Sequence, residues 1–359
     1  MSHPMLNTPF CKRLGLTWPL IQAPLGGGPS TPALVAAVSN EGALGSLGAA
    51  YLPPVDIEQT INHIKKLTPR PFGVNLFAPA QPLEINATQV NAALKVTHPF
   101  RQELALPEPL IQAPFEESFE EQMAVVLKCK PAVFSFTFGL IDKKIIKECR
   151  KQEIMTIGTA TTLEEGIALQ ESGVDAVVVQ GIEAGGHRGM FFADQQDSLM
   201  GTFILTRIMT HTLQIPVISS GGIMDGRSIA AVLTLGAQAA QLGTAFLLCD
   251  EAGTTPAYRE ALHHAQGNTT QLTRAFSGRW ARGIKNRFMI EMEKQERSIL
   301  PFPAQNAFTR DIRKKAAELG RSEFLSLWAG QGVELIRKMK AKELVQTLGE
   351  ETLAALCER

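Results

Sequence analysis

The chain has 359 residues, 45% hydrophobic and 19% charged, with 35 Lys plus Arg balanced by 35 Asp plus Glu. Such a length suits one large α/β barrel with additions, or two domains, and the balanced charge leaves no footprint for nucleic acid or an acidic membrane surface. No uncharged apolar run approaches a membrane span, and the start, MSHPMLNTPFCKRLG, lacks the apolar stretch and cleavage site of a secretory leader, so a cytoplasmic protein is expected.

Residues 18–25 (WPLIQAPL) predict a first strand, followed by the loop Gly26-Gly27-Gly28. Ser30 or Thr31 then caps a helix from Ala33 to Asn40, with Pro32 tolerated in the first turn. Gly42 stops that helix, and residues 43–47 predict a short second strand. Asp56 is expected to cap a helix running to Leu67, and residues 71–77 (PFGVNLF) make a third strand ending near Asn75. Strand alternating with helix at this spacing signals parallel βαβ units. The rhythm pauses over residues 78–115, which hold six prolines and little periodicity. An excursion from the carboxyl end of strand three, a lid or part of an accessory domain, is the expectation there.

The alternation resumes with a helix from Ser118 to Lys128, a strand over 132–138 (AVFSFTF) and a helix from Asp142 to Gln152. A strand from Met155 to Ala160 and a helix from Leu163 to Ser172 follow. The sixth strand, Val174 to Val179, is a β-branched run too short for a helix and suited to burial on both faces. It leads into QGIEAGGHRG (180–189), the stretch around which the rest is organised. The pair Gly185-Gly186 removes two β-carbons and lets the backbone approach a flat or anionic ligand. His187 follows, a side chain whose near-neutral pKa suits proton transfer. A flexible loop carrying a solvated His-Arg pair is the other reading of these residues. Next come a helix from Leu199 to Thr212, a strand over 216–220 running into Gly221-Gly222-Ile223, a helix from Gly226 to Leu235, and a strand from Ala239 to Phe246.

Eight strand-helix units in this order predict a TIM (β/α)8 barrel. Active sites of that fold form at the strand carboxyl ends, and the loops after strands seven and eight commonly hold phosphate. Gly221-Gly222 and Gly243-Thr244 occupy those two loops and offer backbone N–H groups. Either pair alone also reads as tight-turn geometry; their joint occurrence favours phosphate. The barrel is expected over residues 1–255 with its insertion at 78–115, and a mostly helical accessory region over 256–359. The run 274–288 sets Arg274, Arg279, Arg282, Lys285 and Arg287 among Phe276, Trp280 and Phe288, which reads as a partly buried basic face or as an anion-facing loop. The amphipathic tail from Ser322 to Leu356 is expected to supply the barrel's eighth outer helix. The five cysteines (Cys11, Cys129, Cys149, Cys249 and Cys357) are scattered without metal-ligand spacing and read as reduced thiols acting as small core hydrophobes.

With these pieces aligned, the chain resembles the nitronate monooxygenases, formerly called 2-nitropropane dioxygenases, in their class I branch. The similar segments are IQAPLGGG (21–28), GALGSLGAAYLPP (42–54), FGVNLF (72–77), QGIEAGGHRG (180–189), PVISSGGI (216–223) and QLGTAF (241–246), with FSGRWARGIKNRF (276–288) and LWAGQG (327–332). The resemblance implies an FMN-dependent barrel. In it Asn75 and Gln180 would hydrogen-bond the flavin, and Gly185 and Gly186 would lie near it. Gly221 and Gly222 together with Gln241, Leu242, Gly243 and Thr244 would hold the ribityl-phosphate end. The loop Ala23, Pro24, Leu25 and Gly26 would pass the isoalloxazine ring. His187 matches the family's catalytic histidine, a base toward neutral nitroalkanes or, protonated, a partner for an anionic nitronate.

The implied reaction consumes an alkyl nitronate and O2 and forms a carbonyl compound with nitrite or nitrate, propionate 3-nitronate being the expected substrate and detoxification the expected role. No metal is implied, and a monomer or homodimer is expected. Two departures stand out: Ala49-Ala50-Tyr51 replaces an Ala-Gly-Tyr, and Phe302 stands where family pockets can carry a tyrosine. The competing readings are an FMN-dependent NAD(P)H reductase of the same barrel lineage, either an enoyl-thioester reductase or an NADH:quinone reductase, and a non-redox phosphate-binding barrel.

Overall fold

The computed structural model of the chain describes residues 3–79, 83–192 and 198–358; Pro82 of the proline-rich excursion lies outside them. Eight strands point the same way: β1 Leu20–Gln22, β2 Gly45–Gly48, β3 Phe72–Phe77, β4 Val133–Thr137, β5 Met155–Ala160, β6 Ala176–Gln180, β7 Val217–Ser220 and β8 Ala239–Leu242. From β2 onward each pairs in parallel with the next, and β8 pairs with β1 through Leu20↔Ala240. A parallel bridge between Ile21 and Leu44 joins β1 to the β2 edge and completes the ring. The fold is the expected TIM barrel.

Alternate strand residues fill the interior with Ile21, Val133, Met155, Ile157, Val178 and Ile218. The amino-terminal end is plugged by the helix Pro9–Leu14, which buries Phe10 and Cys11 among them. Gln238 ties that plug down, its side chain accepting from Phe10 N at 3.0 Å and its carbonyl from Thr8 Oγ1 at 2.8 Å.

Local sequence explains most boundaries. Thr31 is the cap of the helix Pro32–Asn40, its hydroxyl accepting from Leu34 N. Asp56 is not a cap: Pro53 precedes the helix Pro54–Leu67, and Asp56 lies in its first turn, where it complements the macrodipole. Strand β1 is shorter than residues 18–25 because the chain turns after Gln22 into the first loop. Strand β8 stops at Leu242, where Gly243 diverts the chain into a single 3₁₀ turn, Thr244–Phe246.

The excursion after β3 contains a helix that its prolines conceal. Ala87–Glu103 starts with a reciprocal capping box between Asn86 and Gln89 and tolerates Pro99 in its interior. Its Phe100, followed by Leu104, packs against Phe276, Phe288 and Phe324. The excursion and the segment after β8 therefore share one apolar layer. That segment also carries strands, Thr270–Thr273 paired antiparallel with Ala281–Ile284, which in turn pairs with the two-residue strand Gly186–His187.

The final helix, Ala341–Cys357, returns to the barrel and seats Leu344, Val345 and Leu348 against the core between the helices Pro32–Asn40 and Gly226–Thr234. Glycines allow the close approach. A β-carbon on Gly226 would lie 2.2 Å from Glu351 Cβ, and one on Gly349 would lie 2.5 Å from the Trp18 ring. Among the described residues no helix is long and apolar enough to cross a membrane. Gly349→Leu, which improves helix propensity while colliding with Trp18, is expected to destabilise the fold by about 1–3 kcal/mol. A urea midpoint unchanged from wild type would show that this contact relaxes without cost.

Candidate active site

A cavity of about 840 Å³ sits over the carboxyl ends of the barrel strands. The first loop that lines it, Ala23–Gly26, is held by Gln22, fully buried at the end of β1. The Gln22 amide accepts from Ser46 N at 3.0 Å and donates to Ser46 O, Ser30 Oγ and Ala23 O. Ser30 Oγ in turn accepts from Leu25 N at 2.8 Å. One amide thus fixes the loop Ala23–Gly26 against β2, where Gly48 approaches so closely that a β-carbon would stand 2.6 Å from Gly26 N. Sequence reasoning missed Gln22; the signal was a lone polar residue inside an apolar strand run.

At the end of β6 the side chain of Gln180 organises the glycine-histidine loop. Its Oε1 accepts from Gly189 N at 2.8 Å and from Arg188 Nη1 at 3.1 Å, while Nε2 donates to His187 O at 2.9 Å. Arg188 is wholly buried and donates further to the carbonyls of Gln180, Gly181 and Ser198. Burial draws its pKa down to about 10, which leaves it charged at neutral pH. The Gly-Gly pair has two different causes. A β-carbon on Gly185 would meet Gly330 N at 2.5 Å, whereas Gly186, at φ +73°, has open space where a β-carbon would be. Glu183 turns away from the cavity, its carboxylate accepting from Thr202 N and Thr202 Oγ1 at the start of the helix Thr202–Thr212.

His187 lies at the cavity wall, held by backbone pairing to Ala281. Its ring is walled by Phe138, Phe302 and Trp328 at centroid distances of 5.8, 6.1 and 5.5 Å. Nε2 is 2.8 Å from Ser277 Oγ, and Nδ1 has no protein partner among the described residues. Burial, reinforced by the Arg279 and Arg313 cations, lowers its pKa to about 3, so the ring is neutral at physiological pH. The protonated His187 considered from the sequence is disfavoured by this setting.

The cavity mouth is cationic. Arg310, Arg313 and Lys314 line it, and no carboxylate does among the described residues. The Arg313 Nη2 donates to Asn306 O and Oδ1 at 2.6 and 2.9 Å and Nε to Thr309 O, which leaves Nη1 without a partner among the described residues. The Tyr51 hydroxyl also has none among the described residues, and burial raises its pKa to about 12, so it is a neutral donor. Arg279 stacks 3.9 Å over the Phe138 ring and donates to the carbonyls of Arg188 and Met190. The basic run 274–288 is therefore divided. Arg279 borders the site, Arg282 is buried against Ile182 O and Thr270, and Arg287 bridges to Glu103 at the surface. Arg313 gave no signal in the sequence, since RDIRKKAAEL reads as an ordinary surface helix.

The remaining expected residues divide as follows. Asn75 on β3 donates through Nδ2 to Ser135 Oγ at 3.0 Å, lines the cavity, and has no other side-chain partner among the described residues. Gln241 also lines the cavity, its amide without a protein partner among the described residues. The backbone N–H groups of Gly222, Ile223 and Thr244 find no acceptor there, and Gly221, Gly243 and the first loop from Ala23 through Pro24 and Leu25 to Gly26 border the same space. Thr244 Oγ1 accepts from Gly330 N at 3.0 Å. Leu242 is the exception: its side chain packs in the outer core. Successive residues of a strand face opposite ways, so Gln241 and Leu242 cannot both point inward.

A closed barrel with a roofed, polar-edged cavity over its strand carboxyl ends defines an enzyme of the (β/α)8 class acting on a small molecule. The sequence profile described as nitronate monooxygenase matches residues 8–351, and the chain belongs to the nitronate monooxygenase family. A probable nitronate monooxygenase of Staphylococcus haemolyticus (strain JCSC1435) is 41% identical over 354 residues, 98% of each chain. Among solved structures, the nitroalkane oxidase of Streptomyces ansochromogenes superposes with a TM-score of 0.91 at 37% identity, covering 97% of this chain and 99% of that one. FabK from Thermotoga maritima gives 0.76 at 26% identity, covering 98% and 97%. Nitronate oxidation is the reaction class that this membership carries.

Arg188→Met is expected to destabilise the protein by about 3 kcal/mol, because the carbonyls of Gln180, Gly181 and Ser198 each lose a charged donor. A chemical denaturation midpoint within error of wild type would show that the loop does not depend on this guanidinium.

Proposed function

We propose that the protein oxidises propionate 3-nitronate with bound FMN and O2, forming a carbonyl compound with nitrite or nitrate, as a detoxifying enzyme. The observation that carries the reading is the pairing of a neutral His187, its Nδ1 open, with a mouth lined by Arg310, Arg313 and Lys314. Free thiols on all five cysteines agree with a cytoplasmic setting.

The residues present fit FMN. Asn75 keeps an acceptor and a donor, Gln180 keeps its second Nε2–H, and Gln241 keeps its whole amide, which together complement the mixed donor-acceptor edge of a flavin ring. The unpaired N–H groups of Gly222, Ile223 and Thr244 suit the terminal phosphate. Gly186, with open space where a β-carbon would stand, leaves room for a flat ring. When bound, FMN supplies the redox chemistry between the nitronate and O2.

The chain's own groups bind, orient and move a proton. Arg313 Nη1 and Tyr51 Oη are the anchor for the substrate carboxylate, a charge-assisted contact made on the side away from the reacting carbon. Phe77, Phe138 and Phe302 exclude water around the reacting end. For a neutral nitroalkane, His187 Nδ1 accepts the carbon-bound proton, leaving the nitronate anion and an imidazolium. A preformed nitronate needs no such step.

His187→Asn is expected to keep FMN bound and abolish oxidation of neutral nitroalkanes, with a far smaller fall for nitronates; equal loss of both would overturn the base role. The histidine's lowered pKa fixes the sign of the pH effect. The neutral base is already populated well below the ordinary histidine range, so neutral-nitroalkane turnover should show no histidine inflection between about pH 5 and pH 9. An inflection near 6.5 that disappears in His187→Asn would contradict this.

Arg313→Gln should raise the KM for propionate 3-nitronate by about 10–100-fold, the usual range for a hydrogen bond to a charged group, and leave that for a nitronate without a carboxylate nearly unchanged. A parallel rise for both substrates would remove the anchor. Rapid anaerobic bleaching of the flavin by NADH, with the nitronate inert, would move the activity to the reductase reading.

A further inference from the structure

The environment of Ser277 has a consequence for the chemistry at His187 that depends on counting hydrogens. A neutral imidazole carries one N–H, and the nitrogen that lacks it is the base. Either nitrogen can hold the proton in solution. In the folded chain, one partner decides between them.

Ser277 is buried at 1% exposure and does not line the cavity. Its Oγ makes three contacts: Arg279 N donates to it at 3.3 Å, it lies 3.0 Å from Arg279 O, and it lies 2.8 Å from His187 Nε2. The carbonyl can only accept, and among the described residues it has no other donor. The single hydroxyl hydrogen therefore goes to Arg279 O, and the contact with His187 forms with Nε2–H as donor. The reverse arrangement would direct the hydroxyl hydrogen to Nε2, leave the Arg279 carbonyl without a protein donor among the described residues, and put the ring N–H on Nδ1.

The turn that carries Ser277 is itself fixed. Gly278 N donates to Arg274 O at 2.8 Å, and Gly278, at φ +80°, leaves no room for a β-carbon, which would stand 2.3 Å from Leu300 O. Thr309 Oγ1 donates to Phe276 O at 2.5 Å on the other side. The imidazole is equally confined, with Arg188 N donating to Trp280 O at 2.8 Å beside its strand pairing to Ala281. The ring and its partner cannot drift apart independently.

We infer that Ser277 is a positioning residue that fixes His187 as the Nε2–H tautomer and so presents the basic Nδ1 to the substrate. The inference rests on the reading of His187 as the base, but the tautomer it assigns is measurable without turnover. The carbon-bound proton of the nitroalkane passes to Nδ1, its electron pair stays on the substrate as the nitronate, and Nε2–H remains bonded to Ser277 throughout.

The test uses the FMN-loaded protein as wild type, Ser277→Ala, Ser277→Thr and His187→Asn. Long-range proton–nitrogen spectra of protein labelled at histidine nitrogen, with the His187 signals assigned by their absence in His187→Asn, read the tautomer directly. Wild type and Ser277→Thr should show Nε2–H, and Ser277→Ala a mixture. Neutral-nitroalkane kcat in Ser277→Ala should fall about 10–100-fold further than kcat for the matching preformed nitronate, within the range of a misplaced general base, and Ser277→Thr should restore it. A wild-type Nδ1–H tautomer overturns the inference, as does a Ser277→Ala loss that is equal for both substrates and not rescued by threonine. Turnover lost in His187→Asn but untouched in Ser277→Ala overturns the Ser277 assignment alone. Neutral-nitroalkane turnover that survives His187→Asn removes the base reading and, with it, the catalytic consequence of the tautomer.

Discussion

A guanidinium sealed under the glycine-histidine loop is the constraint on which the site depends. Arg188 directs its donors to neutral oxygens, the carbonyls of Gln180, Gly181 and Ser198 and the Gln180 amide, with Nε unpaired among the described residues. A buried cation is tolerable only when dipoles converge on it, so the loop has little freedom to take another path. Gln180 then relays that rigidity, because its amide holds both the His187 carbonyl and the Gly189 N–H. The position of the imidazole is a consequence of a charge that never meets the substrate.

The second support comes from outside the barrel. His187 belongs to a three-stranded sheet whose other members lie after β8, and Gly330 packs against Gly185 while donating to Thr244. The accessory layer is thus part of the site's frame as well as its roof. It also supplies the cations of the mouth, since Arg310, Arg313 and Lys314 all come from it. The barrel provides amides and glycines, and the layer above provides charge and apolar walls.

Much of the barrel was legible because its signals are local. The strand Met155–Ala160 and the helix Leu163–Ser172 fall where the pattern puts them, bounded by the Thr162 cap and the Gly173 stop. Non-local causes were not legible. Gly185 looks like a ligand-facing glycine, yet the atoms that exclude a side chain belong to residues 329 and 330. Arg313 resembles any surface arginine until the tertiary fold sets its helix over the mouth. The helix Ala87–Glu103 was hidden by Pro99 because a proline reads as a breaker, although here the Asn86 box and the packing of Phe100 outweigh the one hydrogen bond it removes.

The return of the final helix to the barrel also sets an order of events during synthesis. Residues 34–40 and 226–234 leave the ribosome long before residues 341–357, and the seam between them, lined by Leu34, Val38, Ile229 and Leu233, stays open until that last helix arrives. The accessory layer must be made, and held out of the way, in the interval. The nascent chain therefore carries an exposed apolar groove for about the last hundred residues of translation, at roughly 5–20 residues per second, and this seam is the surface that a chaperone would guard.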